Sequence, residues 1–177
     1  MLSLFSNPYD AIAEATAIEH LESLPVIEGD SIVIIDVSGS MLLPNGQHSR
    51  LKIAAALAAE ISVRSEICAI YATSGSDNDL KHITIPLYSN GYLLWLQIKR
   101  ASDDLGGGGI FLDQTIEFIR HYHVRPNNLF VLTDNHVGDY VPTFYRDALH
   151  LANLSEFGDY DAHAKTIGLR VDMGSIV

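Results

Sequence analysis

The sequence predicts a single globular α/β domain: a doubly wound, mostly parallel central sheet flanked by helices, with one antiparallel edge strand. Short apolar runs such as SIVIID (31–36) and NNLFVLTD (127–134) alternate with longer helix-forming segments. Continuous apolar runs of this length are typical of strands covered on both faces, and their alternation with helices favours parallel pairing through right-handed crossovers. The length of 177 residues suits one domain with a substantial core.

An amphipathic segment precedes the first strand. Its apolar positions predict a helix over about residues 8 to 23, with Pro8 near its start. We expect this helix to pack on the sheet, so that residues 1–28 form an extension of a domain that spans residues 29–177.

The remaining elements are predicted from composition and periodicity. A helix rich in alanine and leucine begins at Arg50, and the next two strands form an antiparallel hairpin at a sheet edge because a short link joins them. Pro86, near the end of the second of these strands, fits an edge position. The predicted order after strand 31–36 is helix RLKIAAALAAEISVRS, strands EICAIYAT and HITIPLY, helix YLLWLQIKRA, loop GGGG, helix IFLDQTIEFIRHYH, strand NNLFVLTD, helix VPTFYRDALHLAN and strand AKTIGLRV.

Composition and charge exclude several classes of function. The 22 acidic and 11 basic residues give a formal charge of −11, and the basic residues are scattered, so we expect no direct binding of nucleic acid by this chain. The apolar runs are too short or too interrupted to span a membrane, and the amino terminus lacks the pattern of a signal peptide. The lone cysteine, Cys68, cannot form an internal disulfide, which favours a reducing, cytoplasmic location.

Two predicted strands end in aspartate at the edge of the sheet where α/β proteins bind ligands. Asp36 ends one strand and Asp134 the other, so the two carboxylates are expected to approach each other where the strand order reverses. Ser38 and Ser40 follow Asp36 at alternate positions and add hydroxyl oxygens. Such hard oxygen ligands suit Mg²⁺ or Mn²⁺ better than zinc or copper. Alternatively, DVSGSM is an ordinary strand-to-helix turn in which both serines cap backbone amides.

The segments DVSGSM, LGGGGIF and LFVLTDN resemble, in this order, the loops of the metal-ion-dependent adhesion site in von Willebrand factor type A domains. The resemblance covers about residues 31 to 171 and implies a Rossmann-like fold. The D-x-S-x-S element with a downstream T-D is quite specific in this order. Within the superfamily, TDN and the segment leading into DVSGSM are also similar to the carboxyl-terminal domain of the Ro autoantigen (TROVE) family.

The resemblance implies a site for Mg²⁺, or for Mn²⁺ or Ca²⁺. By their place in the family's first metal-binding loop, Ser38 and Ser40 are expected to be direct ligands. Asp36 in the same loop and Asp134 in the last loop are expected to bind the ion directly or through water.

The middle loop of the family supplies a threonine, which this sequence lacks. Gly109, or alternatively Gly108, takes that position within GGGG. Glycine offers no side-chain oxygen, so either water or a backbone carbonyl completes the coordination, or the site is weakened. Thr115 lies further on, inside the predicted helix and too deep to substitute easily.

No catalytic arrangement follows from the sequence, so we do not expect an enzyme. Ser38 lacks the G-x-S-x-G turn and identifiable histidine and acid partners. The GGGG run is not followed by the Lys-Ser or Lys-Thr of a phosphate-binding loop. Of the eight histidines, only His136 lies near the proposed site, and it is interpreted as an exposed loop residue.

The leading prediction is therefore a non-enzymatic interaction module that binds a divalent cation and, through it, an acidic residue of a protein partner. One alternative is a Ro-like component of a ribonucleoprotein assembly that lacks the RNA-binding helical ring. Another is a structural subunit of a larger assembly whose metal site has been lost, which the missing threonine favours. The family resemblance also places a last helix after the final strand, and we expect the amino-terminal helix to pack near that position.

Overall fold

A five-stranded sheet forms the centre of the fold. The computed structural model describes residues 19, 22–76, 79–85, 91–105, 112–122, 126–135, 143–158 and 160–169. The strands in these ranges are β1 (Ile27–Asp36), β2 (Pro44–Asn45), β3 (His48–Ser49), β4 (Ser65–Ser76), β5 (Asp79–Ile85), β6 (Asn128–Thr133) and β7 (Leu149–Asn153).

The strand order in the sheet is β5-β4-β1-β6-β7, and β2 pairs with β3 in a separate two-stranded ribbon. β1 lies between β4 and β6 and is parallel to both, while β7 is parallel to β6. β5 is antiparallel to β4 and lies at the edge of the sheet. This topology confirms the predicted fold class, including the antiparallel edge strand.

Helices cover both faces of the sheet. They are α1 (Arg50–Arg64), α2 (Gly91–Leu105), α3 (Leu112–Arg120) and α4 (Tyr160–Thr166) in the described residues, together with 3-10 helices at Gly39–Leu42 and Thr143–Ala148. On one face, buried residues of α1, α2 and α4 such as Leu57 and Ile98 form a core cluster with Ile35 of β1. On the other face, Ile116 of α3 belongs to a cluster with Ile34. Neighbouring residues of β1 thus point into the two halves of the core.

The start of α1 is fixed by a side-chain cap. Ser49 Oγ accepts a hydrogen bond from the backbone N–H of Lys52 at 3.2 Å, which satisfies one of the free amides of the first turn. The alanine- and leucine-rich stretch 53–61 is buried throughout. Because β1 and β4 are parallel, α1 returns the chain from the carboxyl edge of the sheet to the amino edge.

The predicted helix VPTFYRDALHLAN is wrong over most of its length. Thr143–Ala148 forms a 3-10 helix, and β7 follows it directly. The segment is a strand because it pairs with β6 along its length, with Leu151 packed on one face of the sheet and Ala152 on the other. Pairing with a neighbouring strand therefore overrides a composition that favours a helix.

The predicted final strand AKTIGLRV is also wrong, because its first residues end α4. Gly168, with φ of 72°, follows this helix. Its N–H donates to Lys165 O at 3.0 Å, and the N–H of Leu169 donates to Ala164 O at 2.9 Å. This pair of bonds is the Schellman motif, which favours glycine at its left-handed position. Within the described residues, the last strand of the sheet is thus β7 and the last helix is α4.

Several predictions concern residues that the structure does not describe. They include most of the amino-terminal helix over residues 8 to 23, the GGGG loop with Gly109, and residues Pro86 and His136. Among the helices that are described, none has the length and apolarity to cross a membrane.

Candidate functional site

The carboxyl ends of β1 and β6 lie side by side at the centre of the sheet. From β1 the chain crosses through α1 to β4 on one side, whereas β6 on the other side leads to β7. The strand order therefore reverses between β1 and β6, which is where open α/β sheets bind ligands. Asp36 is the last residue of β1, and Asp134 directly follows β6.

Asp36 is a buried carboxylate that accepts hydrogen bonds from both loops. Its Oδ1 accepts from the backbone N–H of Ser38 at 2.8 Å. Its Oδ2 accepts from Thr133 Oγ1 at 2.6 Å and from Asn135 Nδ2 at 3.2 Å. Burial raises the pKa of Asp36 above its ordinary value, the hydrogen bonds oppose this, and the charge of Asp134 raises the pKa further. The hydrogen bonds of Asp36 thus connect the loop after β1 to the end of β6.

Three oxygens from the two loops follow one another at short distances. The Oγ atoms of Ser38 and Ser40 lie 3.2 Å apart, and Ser40 Oγ donates to Asp134 Oδ1 at 3.0 Å. Ser38 stands at the N-cap of the 3-10 helix, yet its side chain makes no capping hydrogen bond. Its hydroxyl therefore faces the other site oxygens, which the alternative interpretation of DVSGSM as a capping turn does not expect.

Arg50, the first residue of α1, places a positive charge beside these oxygens. Its Nη1 lies 2.5 Å from Asp134 Oδ2 and donates to the backbone O of Ser40 at 3.4 Å. The side chain of Asp134 is 3% exposed and that of Arg50 is 19% exposed, so the ion pair is shielded from water. Arg50 Nε is buried and has no hydrogen-bond partner among the described residues.

The loop position expected for the missing threonine, Gly109, is not described. Two threonines lie in the interior near Asp36. Thr115 Oγ1 on α3 lies 2.9 Å from Thr73 Oγ1 on β4, and both residues are fully buried. Thr73 is the partner of Asp36 in the register of β1 with β4. Thr115 therefore belongs to the packing between α3 and β4, one strand away from Asp36.

The spacing of the site oxygens fits a small divalent cation. Mg²⁺ holds six oxygens in an octahedron at about 2.1 Å, so neighbouring ligand oxygens are about 3.0 Å apart. The two separations along the oxygens of Ser38, Ser40 and Asp134, 3.2 and 3.0 Å, are close to this value. These residues would hold the ion, which when bound would offer a Lewis acid to a ligand oxygen, while Asp36 keeps the two loops in place.

Three residues of the site were not among those predicted from the sequence. Thr133 and Asn135 flank Asp134 in the tripeptide TDN, so the motif that identified Asp134 could also have identified these two neighbours as site residues. The N–H of Asn135 also donates to Thr133 Oγ1 at 3.1 Å, which shapes the turn after β6. Arg50 had no signal of its own, because it lies outside the three segments that resemble metal-binding loops.

A second buried polar cluster lies around β2 and joins the ribbon to the loop after β7. Asn45 Nδ2 donates to the backbone O of Leu154 at 3.0 Å and of Glu156 at 2.8 Å, and it lies 3.3 Å from His163 Nε2. The N–H of Gly158 donates to Asn45 Oδ1 at 3.2 Å. Across the residues that the structure describes, no three histidine, cysteine, aspartate or glutamate side chains are grouped as a metal site.

Comparisons with known proteins show a distant similarity of fold to solved structures. No protein-family model and no curated protein sequence matches the chain. The fold is similar to the crystal structure of the conserved hypothetical protein BatB from Bacteroides thetaiotaomicron, with a TM-score of 0.49 and 15% sequence identity. The similarity covers 71% of this chain and 65% of that chain. The metal site, the resemblance to the Ro family and the ribonucleoprotein alternative stay predictions.

Proposed function

We propose that this chain is a non-enzymatic interaction module of the von Willebrand factor type A kind that binds Mg²⁺ or Mn²⁺ between the loops after β1 and β6. Ser38, Ser40 and Asp134 hold the ion, and Asp36 positions the loops. An acidic group of a protein partner completes the coordination.

The observation that carries this proposal is the run of three oxygens from Ser38, Ser40 and Asp134. Their separations of 3.2 and 3.0 Å match the edges of an octahedral ion shell, about 3.0 Å long. Two of the oxygens are hydroxyls that face one another, although one belongs to a residue in a capping position. Because the Ser38 hydroxyl lies beside the other two oxygens and caps no backbone amide, the arrangement supports an ion site.

The charges of the site support an acidic ligand. The serine hydroxyls are neutral, so among the three proposed ligands only Asp134 carries a negative charge, which does not balance a divalent cation. A loaded site therefore has a net positive charge on a chain whose formal charge is −11. A glutamate or aspartate of the partner supplies the hard, negative oxygen that such a site attracts.

Calorimetric titration with Mn²⁺ tests the ion site. We expect the wild type to bind the ion and Ser40→Ala to bind it at least about tenfold more weakly, because one ligand oxygen is removed. Ser62→Ala is the matched control, since the Ser62 hydroxyl lies on α1 and donates to Ala59 O. Equal affinities for the wild type and Ser40→Ala would contradict the site.

A second titration tests the acidic ligand. A blocked peptide with a single glutamate is expected to bind the wild type in the presence of Mn²⁺ and to lose binding when the ion is chelated. The same peptide with glutamine in place of glutamate is the control. Binding that is insensitive to chelation would contradict recognition through the ion.

The ion pair between Arg50 and Asp134 favours a second candidate function, a structural subunit whose site needs no metal. The guanidinium then takes the place of the ion, and the loops pack against another chain of an assembly. This candidate predicts no heat of Mn²⁺ binding for the wild type.

A further inference from the structure

Arg50 contacts the carboxylate oxygen of Asp134 that is not one of the three neighbouring site oxygens. Asp134 presents Oδ1 to Ser40 Oγ at 3.0 Å and Oδ2 to Arg50 Nη1 at 2.5 Å. Because the Asp134 side chain is only 3% exposed, its charge needs a nearby cation. Arg50 supplies this cation from within the chain.

The same contact leaves the guanidinium incompletely satisfied. Arg50 Nε is buried and has no hydrogen-bond partner in the part of the chain that is described, which costs free energy. The side chain stands on the first residue of α1 and is 19% exposed, so it can turn outward without disturbing the helix. Turning outward returns the Nε–H to water.

These contacts favour an exchange of cations at Asp134. We infer that Arg50 neutralises Asp134 in the ion-free protein and is displaced when a divalent cation binds, so that Arg50 sets the ion affinity of the site. This inference rests on the proposed ion site. A divalent ion at Oδ1 and a guanidinium at Oδ2 of one carboxylate repel each other, so the ion competes with Arg50. The wild type therefore binds the ion more weakly than its oxygens alone would.

Titration of three proteins with Mn²⁺ alone tests this role. Arg50→Gln removes the charge and is expected to bind Mn²⁺ at least about tenfold more tightly than the wild type. Lys52→Gln removes the same charge two residues further along α1, and its affinity is expected to stay within about twofold of the wild type. The comparison separates the contact with Asp134 from the general effect of a positive charge.

Thermal unfolding gives a readout that does not depend on heats of binding. Without the ion, Arg50→Gln is expected to have a lower Tm than the wild type, because Asp134 is left buried and unpaired. Saturating Mn²⁺ is expected to raise the Tm of Arg50→Gln more than that of the wild type. An equal rise in both proteins would contradict the exchange.

The outcomes distinguish this inference from the proposed function. If the wild type binds Mn²⁺ and Arg50→Gln binds it no more tightly, the role of Arg50 is overturned and the ion site stands. If only Arg50→Gln binds, the role of Arg50 is supported and ion binding by the wild type is overturned. Absence of binding in both proteins overturns both.

If Arg50→Gln does not fold, an experiment on the wild type alone tests the displacement of Arg50. In an NMR titration with Mg²⁺, the Nε–Hε resonance of Arg50 is expected to shift and to exchange faster with water as the guanidinium leaves Asp134. An unchanged resonance at saturating Mg²⁺ would overturn the inference.

Discussion

Asp36 determines how the two loops of the site meet. Two of the hydrogen bonds to its carboxylate come from Thr133 and Asn135, which flank Asp134. A buried carboxylate is costly, and hydrogen-bond donors offset that cost. Asp134, which lies between these two residues, is therefore held beside the residues that follow β1.

Thr133→Val should destabilise the protein because it removes one donor to Asp36 and the acceptor of the Asn135 N–H. Valine matches threonine in size and in strand propensity, so the change is confined to the hydroxyl that lies 2.6 Å from Asp36 Oδ2. The free energy of unfolding, measured by urea denaturation, is expected to fall by about 1–3 kcal/mol. Thr166→Val is the control, because that exposed hydroxyl donates to Ala162 O and its loss should cost about 0.5 kcal/mol or less. Similar losses in the two variants would show that the hydrogen bonds of the Thr133 hydroxyl do not stabilise the fold.

Local spacing decided which single residues of the site could be predicted. The four residues whose side chains were predicted to bind the ion lie at or just after strand ends, where a short motif specifies them: Asp36, Ser38, Ser40 and Asp134. Arg50 could not be predicted, because a position at the start of a helix does not specify which carboxylate its side chain contacts. The same holds for the pairing of Thr115 with Thr73, which depends on how α3 packs on β4.

Elements with one clear pattern were predictable, whereas β7 was not. α1 is an uninterrupted alanine- and leucine-rich helix, and β6 is a continuous apolar strand. β7 has only five residues, and its pairing with β6 is not visible in its own composition. The end of α4 did carry a signal, since a glycine such as Gly168 just beyond a periodic segment is typical of a helix C-terminus.

His150 of β7 should make stability depend on pH. Its ring stacks on Phe130 of β6 with centroids 4.6 Å apart, and burial lowers the pKa of His150 below its ordinary value of 6.5. As the pH falls, the unfolded chain takes up a proton before the folded chain does. The contribution of His150 to stability is therefore present above about pH 6.5 and is lost as the pH falls through the lower folded pKa.

Urea denaturation of His150→Phe tests this dependence, because phenylalanine keeps an aromatic ring that cannot be protonated. Between about pH 7.5 and about pH 5.5, the free energy of unfolding should fall less for His150→Phe than for the wild type. His121→Gln removes an exposed histidine just after α3 and should follow the wild type. A His150→Phe profile that parallels the wild type would show that folding does not oppose protonation of this ring.

At the scale of the whole molecule, a buried polar cluster connects α1 to the segment before β1 and to the segment after α4. Glu60 is fully buried and Arg64 is 7% exposed. Arg64 donates from Nη1 to Glu60 Oε1 at 2.7 Å and to Leu169 O, and from Nε to Pro25 O at 3.0 Å. The Tyr160 hydroxyl donates to the other oxygen of Glu60. One guanidinium thus joins the segment before β1 to the segment after α4.

Arg64→Met should be strongly destabilising because it leaves the Glu60 carboxylate buried without a cation. The expected loss in the free energy of unfolding is about 3–5 kcal/mol by urea denaturation. Adding Glu60→Leu should make the protein more stable than Arg64→Met alone, since no buried charge then remains unpaired.

The matched control is Arg100→Met on α2, which removes an exposed pair of the same spacing. Arg100 Nε lies 3.6 Å from Asp104 Oδ2, and both side chains are more than half exposed. This change should cost about 1 kcal/mol or less. A loss for Arg64→Met as small as that for Arg100→Met would mean that the buried cluster does not stabilise the fold.

The fold class was predictable at this scale, but the cluster was not. Alternation of strands and helices, combined with right-handed crossovers, leaves few possible topologies, and the position of the site follows from the topology. In the sequence, Glu60 and Arg64 form an ordinary pair four positions apart, which is typical of an exposed helix surface. Burial of this pair results from packing between elements that are distant in the chain.

The direction of α1 determines where a tether can be attached relative to the candidate site. Its first residue, Arg50, lies at the candidate ion site, and its last, Arg64, contacts Pro25 and Leu169. A helix of 15 residues is about 22 Å long. A segment that enters at Pro25 or leaves at Leu169 therefore starts on the far side of the domain from the site. A tether attached at either point would therefore start opposite the carboxyl edge of the sheet, where the candidate site lies.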